Sequence, residues 1–328
     1  EIHKLTNIEL KDKDFINRLN GGTIKNLFID GYINKGNTGS GYGDYGGLIG
    51  RADASATIDN VHMSNVTITE RNTYIGGLVG QTDGILITNC SIQNIHIYQT
   101  NKDNIRYYGR YGGLIGHNQN TIIQNTFVTG LNMEIEYASS TYGIGGMIGR
   151  HDSGYIQDCY AQGSIVTQHP EVGGIVGYNN GKIERVISDV DVYSQLDSIG
   201  GVVGYSTNDS IFNTLVIGKV YSYKNAVDPN RTIGNRAAMN SNYAWNEQLI
   251  NGLTVNSANG EIFLTTDELK SPTTYDSVVK LGNQFDLSSL ETEERHNLIP
   301  KLRYLSSTEL LPNQPNIEFY SDVFRVDL

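Results

Sequence analysis

The sequence predicts an all-β fold: one parallel β-helix of about seven rungs, right-handed by default, closed by a mixed C-terminal cap. Three observations predict it. A Gly-Gly-apolar-apolar-Gly motif recurs six times. A second set of columns keeps register between its copies. The composition, with Gly 37, Tyr 21 against Phe 8 and Pro only 6, suits short strands and tight turns.

The motif copies begin at Gly46, Gly76, Gly112, Gly145, Gly173 and Gly200, and their second glycines stand 30, 36, 33, 28 and 27 residues apart. Thr232-Ile233-Gly234-Asn235 reads as a decayed seventh copy. Between the motifs runs an isoleucine column of Ile24, Ile58, Ile87, Ile123, Ile156, Ile183 and Ile211. Two residues on stands a polar column of Asn26, Asn60, Asn89, Asn125, Asp158, Arg185 and Asn213. Five further on is a corner column of Gly31, Asn65, Asn94, Gly130, Gly163, Val190 and Gly218. Gly and Asn tolerate the left-handed backbone that a corner requires, so a different turn is expected at Val190.

One such repeat cannot bury its apolar side, but repeats stacked about 4.8 Å apart bury a continuous core. The isoleucines then point inward and the asparagine amides stack. A β-propeller needs about 40 or more residues per blade, so the shorter repeats here favour the solenoid. Cys90 and Cys159 fall in one column two rungs apart, about 9–10 Å, which is too far for a disulfide. Two buried free thiols are expected.

The chain divides into an N-terminal lead-in or cap (1–20), the β-helix repeats (21–222), decayed rungs with the cap (223–305) and an exit linker (306–328). Thr265 to Glu268 has capping-box spacing and predicts a short helix. Tyr275 to Leu281, followed by Gly282, predicts another. With no signal peptide at its start, the sequence reads as part of a longer polypeptide.

The net charge of −11 argues against nucleic-acid binding. No apolar run reaches the length of a membrane span, so membrane insertion is not expected. There is no His-Glu-x-x-His and no Cys-x-x-Cys. Gly41 to Gly46 matches Gly-x-Gly-x-x-Gly but lacks a βαβ context. His151-Asp152-Ser153 are consecutive and cannot take triad geometry. A β-helix glycan lyase or hydrolase would need converging carboxylates, and the aligned polar column carries only Asp158.

Two candidate binding surfaces remain. The 101–111 insertion holds Arg106, Tyr107, Tyr108 and Arg110, residue types that dominate interface energetics. The residues that follow each glycine motif are Arg51, Gln81, His117, Arg150, Tyr178 and Tyr205, which form one outward stripe on the proposed register.

The repeated Gly-Gly-Leu-Ile-Gly with Ile-x-Asn resembles the GLUG-type repeats of bacterial surface proteins. Phe15 to Leu19, then Gly22 to Leu27, then the glycine repeats resemble the N-terminal, non-catalytic domain of M26 peptidases. These are immunoglobulin A1 proteases and related Gram-positive surface zinc metalloproteases. The resemblance covers about residues 12 to 222, and Asn297 to Leu302 resembles the end of such arrays. It implies a secreted or cell-surface scaffold or recognition module, not itself an enzyme. Its partners would be a catalytic domain of the same polypeptide and immunoglobulin A1 or another host glycoprotein. Zinc would reside in that separate domain, and no catalytic, cofactor or metal residue carries over to this chain. An adhesin or structural stalk is the alternative.

Overall fold

A computed structural model describes residues 3–11, 14–35, 43–69, 74–99, 108–135, 140–222, 232–235, 241–246, 249–250, 253–254, 261–280, 285–286, 290 and 301–302. The fold is nearly all parallel β with 5% helix, a solenoid of about six turns where about seven rungs were expected. Each turn that carries a glycine motif contributes to three stacked sheets. A long sheet of fifteen strands carries the isoleucine column. A six-stranded inbound sheet leads into the glycine motif, and a seven-stranded outbound sheet leaves it.

The columns coincide with the observed register. Ile24, Ile58, Ile87, Ile123, Ile156, Ile183 and Ile211 pair in succession along the long sheet. From Ile58 onward these side chains are fully buried. Burying one isoleucine stabilises by about 1.5–3 kcal/mol, so the column is a main source of cohesion between turns.

The polar column is a bend. Asn26, Asn60, Asn89, Asn125, Asp158, Arg185 and Asn213 all have φ between 50° and 56°. Asparagine tolerates this left-handed conformation because its short side chain bonds locally. The amides also meet between turns: Asn60 Nδ2 donates to Asn26 Oδ1 at 2.7 Å. Arginine is a poor residue for this backbone, but Arg185 donates Nε and Nη2 to the two oxygens of Asp158, at 2.7 and 2.9 Å. That bidentate pair replaces the amide contact. The corner column is left-handed at Gly31, Asn65, Asn94 and Gly130. Val190 departs from it, but not through the different turn expected: it lies inside the continuous strand Lys182–Ser194, opposite Gly163, and needs no left-handed residue.

The glycine motif turns the chain between the inbound and outbound sheets. Its two apolar residues donate both amides to one carbonyl of the next turn. Leu114 and Ile115 donate to Met147 O, each at 2.9 Å, and Met147 and Ile148 donate to Ile175 O at 3.0 and 2.9 Å. The decayed copy keeps this role, because Thr232 O accepts from Val202 and Val203.

Residues 3–11 and 14–20 contribute a first turn without a glycine motif. His3–Lys11 pairs with Thr23–Lys35, and Ile16–Asn20 pairs with Ile49–Asp53. At the other end Thr265 caps the helix Thr266–Leu269 through a capping box, as its spacing predicts. The second predicted helix is a π-helical turn, Thr274–Val278. These elements cover a flank of the solenoid. Leu264, Leu269, Tyr275, Val279, Phe285 and Leu290 pack on an outward column of the long sheet: Phe127, Tyr160, Ile187, Leu215 and Tyr243. The 306–328 segment lies outside the described residues.

Cys90 and Cys159 are free, buried thiols, with Thr126 in the turn between them. Burial pushes the Cys90 thiol up to about 12 and raises Cys159 as well. Reactivity follows the thiolate, so neither group is expected to react with Ellman's reagent in the native chain. Two equivalents should react in guanidinium; prompt reaction of either in the native state would contradict this burial.

Candidate functional site

The stripe read from the sequence is a true column. Arg18, Arg51, Gln81, His117, Arg150, Tyr178 and Tyr205 pair in succession along the outbound sheet. Arg18 extends it into the first turn. A second row faces it from the inbound sheet, where Asp44, Tyr74 and Arg110 are paired. Each residue of this row stands two positions before a motif glycine. The spacing was available in the sequence, but the varied residue types hid it.

Between the rows lies a seam of motif glycines. A Cβ on Gly80 would stand 2.5 Å from Tyr45 N and 2.7 Å from Gly50 O. A Cβ on Gly116 would stand 2.6 Å from Ile75 N. The inbound and outbound strands therefore meet backbone to backbone, and the two rows of long side chains are brought side by side.

The rows join into one network. The Arg110 guanidinium lies 4.6 Å over the Tyr74 ring, a cation–π contact. Tyr74 meets the His117 ring at 5.1 Å. His117 Nε2 lies 2.7 Å from Asp152 Oδ2, and Arg150 Nε donates to Asp152 Oδ1 at 2.7 Å. Arg150 sits 4.2 Å over Tyr178, which stacks on Tyr205 at 5.3 Å. Toward the N-terminus, Arg18 and Arg51 both bond Asp53, at 2.6 and 3.2 Å.

The electrostatics follow from this packing. Burial raises the Asp152 carboxyl, but hydrogen bonds from His117 and Arg150 outweigh it and hold the group at about 2. Burial lowers His117 against the opposing effect of the hydrogen bond it donates to Asp152, so the ring is neutral near pH 7. Asp44 and Glu171 are raised by burial. Arginines and carboxylates thus balance one another, and the face offers aromatic edges and oriented donors without a large net charge.

Of the six candidate residues, Arg51, Arg110 and Arg150 lie in this face. Arg106 and Tyr107 fall outside the described residues. Tyr108 opens the strand Tyr108–Gly112. His151-Asp152-Ser153 diverge: His151 is buried against Asn118, Asp152 joins the outward network, and Ser153 bonds Asn120. Among the described residues, no three His, Cys, Asp or Glu side chains gather as metal ligands. No helix among them is long and apolar enough to cross a membrane.

Comparison with known proteins matches residues 71–97 to the GLUG motif. The chain carries a GLUG-repeat region. The matched span contains Tyr74, the glycine turn at Gly76 to Gly80, the bend at Asn89 and the corner at Asn94. The chain is also similar to the immunoglobulin A1 protease of Streptococcus sanguinis, 29% identical over 196 residues, covering 54% of this chain and 10% of that protein. The chain thus spans about a tenth of the curated relative it matches. No solved structure matches it. The region resembles immunoglobulin A1 protease, and its GLUG repeats build the seam and the network around it.

Proposed function

We propose that this GLUG-repeat solenoid is a non-catalytic module of a larger, secreted or cell-surface bacterial zinc metalloprotease of the immunoglobulin A1 protease type. It contributes to recognising the substrate. The observation that carries recognition is the unbroken side-chain network from Arg110 to Tyr205, held on stacked strands. Arginine and tyrosine there are fixed in place before any partner arrives, which lowers the entropic cost of binding. The similarity to immunoglobulin A1 protease supplies the context. On this reading the chain has no catalytic site, zinc belongs to a separate domain of the same polypeptide, and immunoglobulin A1 is the partner to test. The rigid parallel stack also favours a second reading, a spacer or stalk that orients its neighbours.

Surface plasmon resonance of the chain against immobilised immunoglobulin A1 tests this. Binding is expected, and the Arg110→Ala/Tyr178→Ala double variant should weaken it at least about tenfold, because each anchor is worth over about 1 kcal/mol. Both side chains are half-buried and lie outside the apolar core, so circular dichroism should be unchanged. No binding by the unaltered chain would remove the recognition role and leave the spacer.

A further inference from the structure

The two ends of the seam are closed by carboxyl groups. Among the described residues the strand Asp44–Gly46 is the edge of the inbound sheet, with Tyr74–Gly76 on one side and no strand of that sheet on the other. Asp14 takes that place. Its Oδ1 accepts the Gly46 N–H at 3.0 Å, and its Oδ2 reaches to 2.3 Å from where a Gly50 Cβ would stand. At the far end, Glu261 Oε1 accepts the Thr232 N–H at 2.6 Å, and Glu261 is buried. The two caps sit in different company. The charged group that faces Asp14 across the notch is another carboxyl, Asp44. Arg51 and Arg110 act on Asp44, and Arg18, on the strand that follows Asp14, is held by Asp53.

The Gly46 N–H favours the ionised carboxylate, but burial in the notch and the second carboxyl disfavour it and prevail. We propose that Asp14 is a pH-dependent latch: in its neutral form it fastens the first turn onto the glycine seam, and its ionisation loosens that turn while the later turns stay closed. What the latch governs is an apolar end. Leu5, Ile8, Leu10, Ile16 and Leu19 of this turn are the half-buried aliphatics that rest on the core. Loosening the turn bares them and the core beneath.

Burial raises the Asp14 carboxyl to about 7. A carboxyl raised in the closed state contributes stability fully present below its free value and lost as pH rises to about 7. The first turn should therefore tighten in acid.

Hydrogen exchange with mass spectrometry on the intact chain tests this at pH 5 and pH 7.5, after correction for intrinsic exchange rates. Peptides from His3–Lys11 and Ile16–Asn20 should be at least about tenfold better protected at pH 5. Peptides from Gly154–Thr167 and Lys182–Ser194 should not gain protection, and they report whether the solenoid remains folded. Asp14→Asn keeps an acceptor for Gly46 without the charge, so its first turn should be equally protected at both values. Asp14→Ala should be poorly protected at both. First-turn protection that ignores pH in the unaltered chain, or an unchanged pH dependence in Asp14→Asn, overturns the latch.

Discussion

Gly112→Ala is expected to destabilise the solenoid by about 3 kcal/mol or more, among the largest effects of any single methyl group added to this chain. The new Cβ would stand 2.0 Å from Ile115 O, 2.6 Å from Met147 O and 2.8 Å from Gly149 N. All three are backbone atoms of the glycine turn and the turn above it, so no rotamer change relieves the overlap. Relief means separating the inbound and outbound sheets, which also pulls the amides of Leu114 and Ile115 from Met147 O. Gly84→Ala is the control. It has nothing within 4 Å but sits at φ +68°, so only the left-handed backbone cost of about 1–2 kcal/mol applies. Urea unfolding followed by circular dichroism should rank the two variants in that order. Equal losses would mean that the seam yields, and that the motif glycines serve backbone conformation alone.

The same seam shows why some of the molecule was readable from sequence and some was not. The stripe from Arg51 to Tyr205 was legible because each residue follows a glycine motif by one position, and the motifs fix the register. Arg18 was not, because its turn has no motif; Asp14 stands where the inbound strand would be. Asn7 has the left-handed φ of the corner column, 55°, one turn before Gly31, yet a lone asparagine carries no period. The network's charge partners, Asp53 and Asp152, are two residues beyond Arg51 and Arg150, a spacing that is common by chance. The flank cap was hidden for a different reason. The isoleucine column marks only the inward face, whereas Phe127, Tyr160, Ile187, Leu215 and Tyr243 alternate outward on the same sheet. A solenoid strand apolar on both faces marks where another element lies, and that pattern begins at Phe127.

Acid should begin to unfold the solenoid before the carboxylates held down by partners titrate. Burial lowers His62, His151 and His169 each to about 4, so all three are neutral in the folded chain near pH 7. A histidine depressed below its free value of 6.5 contributes stability that is fully present above pH 6.5 and lost as pH falls to about 4. For His151, fully buried, the loss amounts to about 3 kcal/mol at about 1.4 kcal/mol per unit. The geometry gives the same sign. Asn118 Nδ2 lies 2.7 Å from His151 Nδ1, and a protonated ring would set donor against donor. Carboxylates held down by partners, such as Asp152, lose their contribution only below the usual carboxylate range. The onset between pH 6.5 and 4 therefore belongs to the histidines. His151→Asn isolates one of them. The neighbouring turns carry Asn118 and Asn179 at the paired positions, so asparagine suits this column of the stack. The variant should match the unaltered chain at pH 8 to within about 1 kcal/mol and lose much less stability by pH 4.5, as read by urea titrations at both values. If both chains lose stability in parallel, His151 is not the group that titrates. Asp14 works in the opposite direction over nearly the same range, so acid should weaken the middle of the stack while drawing its first turn tighter.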